Sequence, residues 1–128
     1  MDITHGSDSI VIGISDQNYA VSHEELLGKV NYYDVNNTAL TTHGTSVAII
    51  AAGNTNNNLG TSSIGFDSKL SLYRMTYNDL LVATYAGIKI LNLSWTSGCT
   101  YSQYAQDIIN EIYYNGTFIV ASAGNGST

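Results

Sequence analysis

The chain has 128 residues, 44% of them hydrophobic and 11% charged, enough for one domain with a buried core and too apolar for a disordered acidic chain. A net charge of -6 with four Lys and Arg leaves no basic stripe to neutralise phosphates, which argues against nucleic acid as a partner. The single cysteine, Cys99, rules out an internal disulfide framework, and no run reaches the roughly 18 consecutive apolar residues of a membrane span.

Residues 9–15 (SIVIGIS) form the first short aliphatic run and predict a strand, closed by Asp16. Residues 45–52 (TSVAIIAA) suit a helix, and 54–63 (NTNNNLGTSS) a polar loop without periodicity. A second strand is expected over 69–75 (KLSLYRM), a second helix over 78–86 (NDLLVATYA) stopped by Gly87, and a third strand over 88–94 (IKILNLS). Residues 101–114 (YSQYAQDIINEIYY) predict a third helix with Tyr104, Ile108, Ile109 and Ile112 on one face and Gly116 as its stop; 117–122 (TFIVAS) then reads as the last strand. This alternation predicts an α/β fold, a parallel sheet covered on both faces, in one domain spanning residues 1–128. Sheets of this kind collect functional groups at the carboxyl ends of their strands, where Asp16 and Asn125 stand.

Four segments carry a more specific signal. HGTSVAIIAAG (43–53) is a His-Gly-Thr turn opening into a small-residue helix, IVIGISD (10–16) is an apolar strand ending in aspartate, ILNLSW (90–95) is a further strand, and IVASAGN (119–125) ends in Ala-Gly-Asn. Together, and in this order, they resemble the subtilisin-like serine proteases over nearly the whole chain. HEEL (23–26) resembles the segment after the aspartate strand in that family. Two departures are visible: Ser46 stands where the family commonly has a second histidine, and Asp16-Gln17-Asn18 replaces the usual Asp-Thr/Ser-Gly.

The resemblance implies a three-layer domain with a mainly parallel sheet, here truncated before the helix that carries the catalytic serine. It implies a serine endopeptidase acting on peptide or protein substrates, with no nucleic acid or membrane partner and with the remainder of the catalytic domain as the necessary complement. Asp16 would orient, His43 would transfer protons, and the Asn125 amide would donate to the developing oxyanion. Leu93, Ser94 and Trp95, with Ser122, Ala123 and Gly124, would bind substrate. No cofactor is required; calcium is implied as a structural ion, with Glu25 and Asn57 as ligands in the NNNLG loop (56–60). Secretion or an extracytoplasmic location follows from the family, although the first residues lack the basic and apolar regions of a signal peptide.

Other readings compete. Taken singly, Asp16 and His43 are ordinary capping residues, and only their combination reverses those odds. Ser46, in a GTSVA segment, mimics the family's nucleophile motif but precedes the asparagine, against the chain order Asp, His, Ser. A noncatalytic or degenerate peptide-binding relative is the alternative function. A nucleotide binder is disfavoured, because no G-x-G-x-x-G follows the first strand and no Walker lysine adjoins AGNGST (123–128). His5 and His23 read as structural or surface residues, and the sequons at Asn36, Asn92, Asn115 and Asn125 as chance occurrences.

Overall fold

The computed structural model describes residues 4–34 and 42–126. Its frame is a five-stranded, wholly parallel sheet: β1 (Val11–Asp16), β2 (Val30–Tyr33), β3 (Lys69–Arg74), β4 (Ile90–Leu93) and β5 (Phe118–Ala121), in the spatial order β2-β3-β1-β4-β5. From β1 the chain passes to the edge strand β2 and returns to β3 beside β1, then crosses to β4 and β5 on the other side. β1 is therefore the strand at which the winding reverses, and Asp16 ends it.

Three helices complete the layers: α1 (His43–Ala52), α2 (Tyr77–Tyr85) and α3 (Gln103–Tyr114). Side chains alternate across each strand, so Ile14, Leu70 and Leu72 pack on one face with Ala48, Ile49 and Ala52 of α1. Tyr73, Leu91 and Leu93 pack on the other with Leu80 and Ala83 of α2 and Ile108 and Ile112 of α3. Fully burying aliphatic side chains of this kind stabilises by about 1.5–3 kcal/mol each, which fixes strand register from both sides. Thr76 and Ser102 cap α2 and α3 by accepting the Asp79 and Ala105 amides.

The expected strands and helices are all present, with no end shifted by more than two residues. α1 begins two residues earlier than expected, placing His43 in its first turn. β2 is an additional strand that no apolar run predicts. It is four residues long, lies at a sheet edge and has three exposed residues, so it lacks the apolar run that marks the others. Ile108 and Ile112 are buried as expected, whereas Tyr104 is 56% exposed and spends its hydroxyl on the Asn78 amide oxygen. Among the described residues no helix is long and apolar enough to cross a membrane. The sequon at Asn36 lies outside the described residues.

Coverage of the sheet is uneven. α1 shields β1 and β3, but Ile50 of α1 itself and Ile90, Phe118 and Val120 on the strands beyond it are exposed, and an apolar hollow of about 350 Å³ opens between α1 and the β4–β5 side.

Candidate active site

Asp16 is fully buried at the carboxyl end of β1, on the face covered by α1. The first residue of α1 meets it: His43 Nδ1 lies 2.9 Å from both Asp16 Oδ1 and Oδ2. An ionised carboxylate can only accept, so the pairing makes Nδ1 the protonated ring nitrogen and leaves Nε2, on the far edge of the ring, with its lone pair available. The histidine side chain is 58% exposed while its carboxylate partner is closed off from solvent. This matches the division of labour between a proton carrier and the group that orients it.

Local sequence explains the close approach. A Cβ on Gly44 would sit 2.4 Å from the Asn18 carbonyl oxygen and 3.0 Å from Asp16 Cβ, so only glycine lets α1 start against the turn after β1. Thr45 Oγ1 accepts the Ala20 amide at 2.8 Å and fastens the same turn to the helix. The departure at Gln17 and Asn18 is absorbed locally: the Gln17 amide donates to Asp16 Oδ1 at 2.7 Å, and the Tyr19 amide to Asn18 Oδ1 at 2.6 Å. Tyr19 lies beneath, its hydroxyl within 2.8 Å of the Ile14 and Tyr73 carbonyl oxygens. Burial, then the Asp16 carboxylate, push its phenol well above the usual tyrosine range.

Two hollows adjoin at the carboxyl edge of the sheet. The smaller, about 350 Å³, is lined by Asp16, Gln17, His43, Met75, Ser94, Trp95 and Thr96. The larger, about 740 Å³, holds the other expected substrate residues, Leu93, Trp95, Ser122, Ala123 and Gly124, together with Asn125. Trp95 borders both. Leu93 contributes mainly from the core, being 6% exposed, while Ser122 ties the two segments together by donating its amide to the Leu93 carbonyl. Tyr77, Thr96 and Cys99 also line the larger hollow and were not singled out for it from sequence, because nothing local marks a loop residue as facing a groove. Cys99 is exposed there. Ser46 does not border the hollow that contains His43, and its hydroxyl donates to the Thr42 carbonyl one turn back.

Away from this cleft, Glu25 is 1% exposed and neither of its carboxylate oxygens has a hydrogen-bond partner. The loop over it is shaped by left-handed residues Asn56, Asn58 and Gly60, and a Cβ on Gly60 would fall 2.2 Å from Glu25 Oε1. Asn54 donates its backbone amide to the Glu25 carbonyl and its side-chain amide to the Glu24 and Leu27 carbonyls, closing the loop onto the 3₁₀ turn Glu24–Leu26. Two orphaned, buried carboxylate oxygens under a backbone-lined loop fit a hard cation with oxygen ligands. Asn57 is exposed, and its side-chain oxygen accepts the Leu59 amide at 3.2 Å. Among the described residues no three His, Cys, Asp or Glu side chains cluster, so a cation beside Glu25 would draw its further ligands from amide and backbone oxygens.

Comparison with known proteins identifies the fold and the family. Residues 7–128 match the model of the subtilase family. A curated relative, a thermophilic serine proteinase of Bacillus sp. (strain AK1), is 30% identical over 99% of this chain, which spans only 36% of that protein. Among solved structures, the prenylagaramide maturation protease PagA superposes with a TM-score of 0.79 at 18% identity, over 95% of this chain and 48% of its own. A protease of Pseudoalteromonas arctica gives a TM-score of 0.80 at 19% identity, over 97% of this chain and 52% of its own. These structural likenesses establish the fold, and the family match over almost the full length establishes the lineage: the chain belongs to the subtilase family of serine proteases.

Proposed function

We propose that this chain forms the acid–base and oxyanion half of a serine endopeptidase whose nucleophilic serine is supplied by sequence beyond Thr128. The observation that carries this reading is the His43 Nδ1 contact with both oxygens of buried Asp16 at the mouth of a groove ending in Asn125. His43 Nε2 takes the proton of the incoming serine hydroxyl as its oxygen bonds to the peptide carbonyl carbon, and Asp16 stabilises the imidazolium formed. The Asn125 side-chain amide donates to the oxygen that becomes negative. Loss of one such donor costs about 10² to 10³ in turnover, a magnitude established for proteases of this family. His43 then returns the proton to the leaving amine as the C–N bond breaks. Water, deprotonated by the same nitrogen, releases the acyl group.

The uncovered apolar surface around Ile50, Ile90 and Val120 supports the same reading, since it offers the rest of a catalytic domain a face to pack on. Calcium, held by Glu25 and by oxygens of the 54–60 loop, would neutralise the buried carboxylate and brace that loop. The deciding experiment is labelling by a fluorophosphonate. A protein extended through the downstream serine segment should be labelled, and the present chain should not. Labelling of Ser46 in the present chain would overturn the assignment, and an unlabelled full-length protein would favour a noncatalytic peptide-binding relative.

A further inference from the structure

Ser15 and Asp16 are consecutive, and strand alternation sends their side chains to opposite faces of the sheet. Asp16 meets His43. Ser15, also fully buried, faces the α2–α3 side, where its hydroxyl donates to the Arg74 carbonyl at 2.8 Å and accepts the Trp95 indole N–H at 2.8 Å. One hydroxyl can do both at once, so this buried group is used as donor and acceptor.

Trp95 lies just past the end of β4, in a segment with no sheet pairing to fix it. Side chains fix it instead. Tyr77 packs edge-on against the indole with ring centroids 5.5 Å apart, the Tyr77 hydroxyl lies 2.8 Å from Ser97 Oγ, and Ser122 Oγ donates to the Trp95 carbonyl at 3.4 Å. Of these contacts, only the indole bond to Ser15 reaches the strand that bears Asp16. Trp95 also lines both hollows, the one with His43 and the one with Asn125. Its placement therefore sets the wall between the proton carrier and the oxyanion donor.

We propose that Ser15 is a positioning residue: through the Trp95 indole N–H it holds the segment after β4 at a fixed setting relative to the Asp16–His43 pair, making Trp95 the partition against which an extended substrate docks. This rests on the endopeptidase reading. Removing the Ser15 hydroxyl leaves the indole N–H without its partner and lets the partition move, while both groups that handle the proton stay untouched. The defect falls on substrate binding more than on chemistry.

The chain contains one tryptophan beside ten tyrosines, so fluorescence excited beyond the tyrosine absorption edge reports this residue alone. In the present chain, Ser15→Ala should shift the emission and raise the acrylamide quenching constant about twofold. In the full-length protein it should raise KM for an extended peptide about three- to tenfold, the scale of one buried hydrogen bond, with a smaller change in kcat and an unchanged pH–rate profile. Trp95→Phe keeps an aromatic ring without the N–H and should raise KM similarly, with no further rise when the two changes are combined; it decides the matter if Ser15→Ala does not fold. An unchanged emission of Ser15→Ala, or a KM within twofold of wild type in either variant, would overturn the inference, as would additive effects in the double variant. Failure of the endopeptidase reading looks different: neither wild-type nor variant full-length protein would take a fluorophosphonate label, and the emission of Ser15→Ala would still report whether the clamp exists.

Discussion

His43 and Asp16, 27 residues apart, meet through one ring nitrogen placed 2.9 Å from each of two carboxylate oxygens, at the junction of a strand end and a helix start. The arrangement fixes the tautomer before any substrate arrives. Asp16→Asn in the full-length protein keeps the shape but presents an amide, which can hold the wrong tautomer. The expected result is a fall in kcat on the order of 10⁴, the magnitude established for serine proteases, with little change in KM. Steady-state kinetics on a peptide substrate test it, and a fall of less than tenfold would remove Asp16 from the site.

Gly44 is the steric condition for that contact. Gly44→Ala forces a Cβ to within 2.4 Å of a backbone oxygen and 3.0 Å of the aspartate side chain, so the turn after β1 or the start of α1 must move. Overpacking of this kind costs about 1–3 kcal/mol. Thermal melting should register the loss, and kcat should fall further than the fraction of unfolded protein accounts for.

Glu25 gives a prediction about ions. If calcium neutralises its two orphaned oxygens, calcium should raise the melting temperature of the wild-type chain, by an amount equivalent to about 2.7 kcal/mol at a hundredfold excess over Kd. Glu25→Gln should abolish that response while surviving chelator at least as well as wild type, because an uncompensated buried charge has been removed. Calorimetric scans with calcium and with chelator distinguish the outcomes; an equal calcium response in both proteins would exclude Glu25 as a ligand.

The phenol of Tyr19 makes stability fall in alkali. Its ionisation is held above the ordinary value of 10.0, by burial first and by the Asp16 carboxylate second. The phenol is thus protonated in the folded chain at pH values where the unfolded chain would ionise it. Its contribution is whole below pH 10 and is lost as pH rises beyond that point. Tyr73, raised by burial foremost, acts in the same direction. Denaturant melts at pH 8 and at higher pH should show this loss reduced in Tyr19→Phe, which itself costs about 1–3 kcal/mol at neutral pH for the hydroxyl contacts removed. An identical pH dependence in wild type and variant would contradict the assignment.

By itself the sequence determined the alternation of strands and helices, because aliphatic runs such as 88–94 and the spacing of Ile108 and Ile112 are written within single elements. Its ordered motifs also marked Asp16, His43 and Asn125 as residues to watch. It missed β2, whose four mostly exposed edge residues carry little pattern, and it placed Tyr104 in a face that solvent partly claims. Only the tertiary structure decided what these residues touch. The burial of Glu25 without partners, the fit of Gly44 against Asn18 and the Trp95–Ser15 bond, across 80 positions, depend on how strands order themselves around β1 and how α1 docks on them. Local sequence encodes the period and termini of each element, whereas these contacts arise from packing between elements, where the fit of many side chains selects one arrangement.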